Sequence, residues 1–167
     1  MKIAYLDCFS GISGDMLLGA LLNAGLPEKI LRRELKRLTA GRYTLHLHAA
    51  QRMHLTGCQI AVDAAGHGHS HRTFSDIRRM ISESTLSANV KSLSLTVFRR
   101  LAESEAKIHG TKPSRVHFHE VGALDSIVDI VGTAIGIDYF NIDRIYASPL
   151  PLASGLISSQ HGVIPLP

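Results

Sequence analysis

The apolar residues of this chain change period several times, and each change marks a predicted element. Ile3, Ala4, Tyr5 and Leu6 form a short apolar run ended by Asp7, which predicts a buried strand. A turn, Cys8-Phe9-Ser10-Gly11-Ile12-Ser13-Gly14-Asp15, leads into Met16, Leu17, Leu18, Ala20, Leu21 and Leu22, a helix that Gly25 closes. Pro27 suits the first position of the next helix, with Ile30, Leu31, Leu35 and Leu38 inward. Tyr43, Leu45, Leu47 and Ala49 alternate with polar neighbours, and Cys58, Ile60 and Val62 repeat that period of two. Residues 43 to 64 therefore read as two antiparallel strands around Gly57. Thr73 and Asp76 resemble a capping box in front of Phe74, Ile77, Met80 and Ile81. Ser87 opens a longer helix whose stripe is Val90, Leu93, Val97, Leu101 and Ile108, ending at Gly110 before Pro113. A helix from near Leu124 to Tyr139 and a strand near Arg144 to Ala147 follow. Helices interleaved with strands, plus one hairpin, define an α/β or α+β domain with a mixed sheet.

The helix near Leu124 carries the chemistry. A rotation of about 100° per residue sets Asp125, Asp129, Gly132, Thr133 and Gly136 on one arc, and apolar residues fill the rest of the turn. Carboxylates on a buried helix are costly unless paired, protonated or bound to a cation. Helix capping accounts for Asp125 but not for Asp129, one turn further in. Immediately upstream stands His117-Phe118-His119-Glu120; if it is extended, both imidazoles share a face and Phe118 points the other way. His117, His119, Glu120, Asp125 and Asp129 are the candidate catalytic residues. The two glycines of the arc would admit another backbone or a ligand.

The turn after the first strand is the second candidate. Asp7, Ser10, Gly11, Ser13, Gly14 and Asp15 lie where free helix N–H groups could hold an anionic part of a cofactor or substrate. Capping of the helix by Ser13 and Asp15 is the competing reading. The sequence is neither a P-loop nor a dinucleotide fingerprint, since the lysine and the glycine spacing are missing. The third candidate is the loop His67-Gly68-His69-Ser70-His71, whose alternate imidazoles can converge on nickel, zinc or copper. His67, His69, His71, His117 and His119 are thus the candidate metal ligands.

Composition narrows the class. The 167 residues are 45% hydrophobic and 19% charged, enough for one domain with a real core. No apolar run approaches the roughly 18 residues of a membrane span, and no secretory signal opens the chain. Two distant cysteines, Cys8 and Cys58, argue for a reducing cytoplasm and against a thiolate zinc site. The net charge of +4 gathers partly on Lys29, Arg32, Arg33, Lys36 and Arg37, a solvated helix face rather than a nucleic-acid surface. Ten histidines against no tryptophan is the unusual count. The tail, with Ser148-Pro149-Leu150-Pro151-Leu152 and Val163-Ile164-Pro165-Leu166-Pro167, is extended by composition and reads as belonging to a fragment or half of a split protein.

The turn from Asp7 to Met16, the His loop before a helix, the block Val116 to Asp129, the Ser148-Pro149-Leu150-Pro151-Leu152 segment, His161-Gly162 and Pro165-Leu166-Pro167 occur in this order. In that combination the chain resembles the nickel-insertion proteins of nickel-pincer cofactor biosynthesis, the larC type. The resemblance implies insertion of nickel(II) into pyridinium-3,5-bisthiocarboxylic acid mononucleotide by a nickel-inserting lyase that matures lactate racemase. It also implies dependence on CTP with magnesium or manganese. Family members continue into a C-terminal domain, so residues 1–167 are expected to be a single, truncated N-terminal domain. It would work with a C-terminal half or a separately encoded partner, or as a homo-oligomer, with no nucleic acid and no membrane. Two other classes stay open: a non-catalytic nickel metallochaperone, and a magnesium-dependent nucleotide or phosphate enzyme using Asp7, Asp15, Asp125 and Asp129.

Overall fold

The structure, a computed structural model, describes residues 1–52, 54–64, 72–118, 123–152, 154–159 and 162–165. In chain order these form β1 (Ile3–Leu6), α1 (Gly14–Asn23), α2 (Glu28–Leu35), β2 (Tyr43–Arg52), β3 (Leu55–Ala64), α3 (Phe74–Glu83), α4 (Ala88–His109), a 3-10 turn (Pro113–Arg115), α5 (Leu124–Phe140), β4 (Arg144–Ala147), β5 (Leu156–Ser159) and β6 (Gly162–Pro165). The mixed α/β class holds. Among the described residues the parallel and antiparallel pairings fall into three separate two-stranded sheets, not one mixed sheet: β1 with β4 in parallel, and the hairpins β2–β3 and β5–β6.

Helix α5 is the centre of the core. Ile127, Val128, Val131, Ala134 and Ile135 are all but fully buried, as the all-round apolar sequence requires. Burying each of the larger ones stabilises the fold by about 1.5–3 kcal/mol before entropy is counted. Helices α1, α2 and α4 pack against it. The glycines of its polar arc are what let α1 come close: a Cβ on Gly132 would meet Leu18 Cδ2 at 3.0 Å, and one on Gly136 would meet Leu21 Cδ1 at 2.8 Å. What those glycines admit is therefore neither a second backbone nor a ligand but the Leu18 and Leu21 side chains of α1.

Local signals mostly act as the sequence indicates. Thr73 and Asp76 form the reciprocal capping box of α3, and Ser87 Oγ accepts from the Val90 N–H at 3.2 Å. Gly110 ends α4 with φ 60°. Pro27 is the residue just before α2 rather than its first residue.

Four expectations change. Strand β1 is not buried, since Ile3 and Tyr5 are 52% and 64% exposed. The hairpin does not reverse at Gly57, which lies inside β3 opposite Ala50; the ladder runs from Tyr43↔Ala64 to Arg52↔Leu55, and His54 takes the positive φ of 69°. In α4 the buried row is Val90, Ser94, Phe98, Ala102 and Ala106, while Ile108 is 78% exposed. Small residues weigh little in a hydrophobic pattern, yet at four-residue spacing they let α4 settle closely against its neighbours. The tail, expected only to be extended, folds back as the β5–β6 hairpin with Leu156 opposite Pro165.

Candidate functional site

The first turn of α1 meets the first turns of α5. A Cβ on Gly14 would lie 2.7 Å from Asp129 Cβ and 2.8 Å from its Oδ2, so only glycine lets the carboxylate sit there. Asp129 is half-buried, and its carboxyl is pushed up from 3.8 to about 6, first by burial, then by the charges of Asp15 and Asp125. Neither neighbour neutralises it. Asp125 is exposed, with Oδ1 accepting from the Ser126 N–H at 2.7 Å, and Asp15 accepts from Ser13 Oγ. Ser13 is the capping residue of α1 by position, but its side chain makes no capping bond.

Three carboxylates at a helix N-terminus alter what that terminus can hold. Its free N–H groups favour an anion. Asp15, Asp125 and Asp129 oppose one, by repulsion in a partly desolvated site. The arrangement suits a proton. Asp129, alternating between acid and carboxylate near pH 6, is able to accept a proton at neutral pH.

The turn itself is held from the far end of the chain. Gly11, at φ 89°, donates its N–H to the Cys8 carbonyl at 3.0 Å. The Cys8 N–H donates to Ser148 Oγ at 2.8 Å, and the Ser148 N–H donates to the Leu6 carbonyl at 2.9 Å. Ser148 is thus a positioning residue that sequence reasoning missed; its signal was a serine before proline directly after a strand. Asp7 and Ser10 are exposed beside this turn.

His117 stands elsewhere in the fold. It bridges Thr73 in antiparallel fashion, and its charge joins Arg79 in lowering the Asp76 carboxyl, after the larger effect of hydrogen bonds from Thr73. His117 is exposed and Phe118 buried, the alternation expected of an extended segment. The Phe118 N–H donates to the Arg72 carbonyl at 3.3 Å, so the chain leaving the His loop and the chain entering His119-Glu120 start from paired positions. His67, His69, His71, His119 and Glu120 lie outside the described residues. Among the described residues no group of three or more His, Cys, Asp and Glu side chains could hold a metal ion.

Fold and site together define a mixed α/β domain that offers a proton-accepting carboxyl, Asp129, at a strand–turn–helix junction. The chain belongs to the nickel insertion protein family, whose model matches residues 4–167. It is 50% identical over its whole length to the pyridinium-3,5-bisthiocarboxylic acid mononucleotide nickel insertion protein of Desulfitobacterium hafniense (strain DSM 10664 / DCB-2), covering 41% of that relative. It is likewise 50% identical over all 167 residues to the "Putative nickel insertion protein" of Geobacter sp. (strain M21), covering 43% of it. The chain therefore spans well under half the length of these curated relatives and matches their N-terminal part. No solved structure matches it. No helix among the described residues is long and apolar enough to cross a membrane.

Proposed function

We propose that this chain supplies the N-terminal part of a machinery that inserts nickel(II), as substrate, into pyridinium-3,5-bisthiocarboxylic acid mononucleotide in the cytoplasm. The observation that carries this reading is Asp129: a half-buried carboxyl raised to about 6, seated on Gly14, in a chain of the nickel insertion family. Metal insertion displaces a proton from the ligand, and the acceptor works best when it titrates near the working pH. Asp129 is that acceptor, Asp15 and Asp125 tune it, and Gly14 leaves it room. His117 and His119 with Glu120, and His67, His69 and His71, gather nickel for delivery, since neutral imidazole is a good ligand for it.

CTP and its magnesium or manganese, which family resemblance implies, do not fit the described residues. The start of α1, whose free N–H groups could cradle phosphates, carries Asp15 and faces Asp129, and among the described residues no cluster suits a metal cation. We assign them to the C-terminal part, whether that is continuous with this chain or a separate partner. The test is to supply nickel, CTP and the bisthiocarboxylate mononucleotide, with and without a C-terminal part, and weigh the product. A nickelated mononucleotide that requires this chain supports the reading. Stoichiometric nickel binding with an unchanged mononucleotide would make the chain a metallochaperone instead.

A further inference from the structure

We infer that the open edge of β4 is a docking site for a β-strand from the C-terminal part that the relatives carry beyond the matched region. Two parallel strands are an unfinished sheet, because parallel sheets are normally extended and covered on both faces. Among the described residues no strand pairs with the far side of β4. The Arg144 N–H donates to the carbonyl of Lys2, just ahead of β1, and the Ser148 N–H to that of Leu6 at its end, so by alternation the Ile145 and Ala147 amides face outward. Such an edge is a template for pairing.

Beside that edge runs a groove of about 570 Å³ between α4, the end of α5 and β4, lined by Asn89, Leu93, Thr96, Ile137, Arg144 and Ile145. Leu93 is only half-buried, and Val97, one turn on, is 36% exposed. Leu93 lines the groove with a side chain that the fold covers only in part. A strand added to β4 would lie along this groove, with alternate apolar side chains packed on Leu93 and Ile137. Its source is indicated by length: the chain accounts for 41% and 43% of the two relatives, whose remaining residues follow the matched stretch.

This rests on the reading that a C-terminal part completes the machinery, so the experiment separates the two. Amide hydrogen exchange is measured on this chain alone and on the same chain continued, as one polypeptide, by the C-terminal part of the Geobacter relative. The full-length Geobacter protein is measured at the aligned positions, which keeps the test valid if the joined chain misfolds. The expected result is at least tenfold slower exchange at Ile145 and Ala147 when the C-terminal part is present. Ile145→Pro, which removes an outward amide and no sheet bond, should abolish the added protection at Ala147, and Thr96→Arg, which fills the groove from an exposed position, should weaken it. Unchanged exchange in both longer chains would overturn the inference. So would protection at Ile3 and Tyr5 on the β1 edge instead, or protection in this chain alone through self-association. Nickel insertion by the full-length relative with an unprotected β4 edge would leave the functional reading standing without this docking. A protected edge without insertion would do the reverse.

Discussion

The Asp129 carboxyl binds a proton on folding, because burial first, and then Asp15 and Asp125, lift it from 3.8 to about 6. Between those two values the folded chain holds more protons than the unfolded one, so stability falls as pH rises through that window and stays lower above it. Asp129→Asn should therefore be more stable than the parent at pH 7.5, by about 1 kcal/mol once partial exposure is discounted, and equal to it near pH 3. Thermal melts at the two pH values check this; a variant less stable at pH 7.5 would mean that the charge is compensated. Gly14 belongs to the same argument. Gly14→Ala drives a methyl into Asp129 and should cost about 1–3 kcal/mol. In Asp129→Gly the obstruction is gone, so Gly14→Ala should then cost much less, and a double-mutant cycle in denaturant reads the difference. Asp129 was legible in the sequence because it is a charge that no cap explains on an apolar helix. Its seat on Gly14 was not, since that contact joins residues more than a hundred positions apart.

At the scale of elements, α1 is held against α5 and β3 by glycine. A Cβ on Gly19 would collide with the Cys58 carbonyl, a backbone atom that cannot turn aside. Gly19→Ala should be among the most damaging single-methyl changes in the chain, costing about 3 kcal/mol or more, and urea titration measures it. A parent-like midpoint would show that α1 and β3 are not seated as described. Capping signals were readable here because Thr73, Asp76, Ser87 and Gly110 act within one turn of their own helix ends. The inward face of α4 was misread because Ser94, Ala102 and Ala106 carry little hydrophobic signal, although they are what the packing requires. The His loop lies outside the described residues, but its exit is anchored by the pairing of Arg72 with Phe118. Replacing His67, His69 and His71 together by Ala should lower nickel stoichiometry in equilibrium dialysis while the circular dichroism stays unchanged. Undiminished stoichiometry would remove the loop from the account.

For the molecule as a whole, the α/β class and the order of the elements from β1 to β4 followed from hydrophobic period with its capping and turn signals, whereas the β5–β6 hairpin and the division into three small sheets did not. Strand partners depend on contacts such as Ile3↔Arg144, which leave no local trace. The same holds for the site: its acidic members were visible one by one, yet the meeting of the α1 and α5 starts is a property of the packed core. The role proposed for the raised Asp129 carboxyl is to take up the proton that nickel insertion releases. Its most direct test is the rate at which nickelated mononucleotide forms with the parent chain and with Asp129→Asn, each supplied with the same C-terminal part. The expected result is loss of product in the variant, with its fold and its nickel binding retained. A variant that inserts nickel at the parental rate would contradict it.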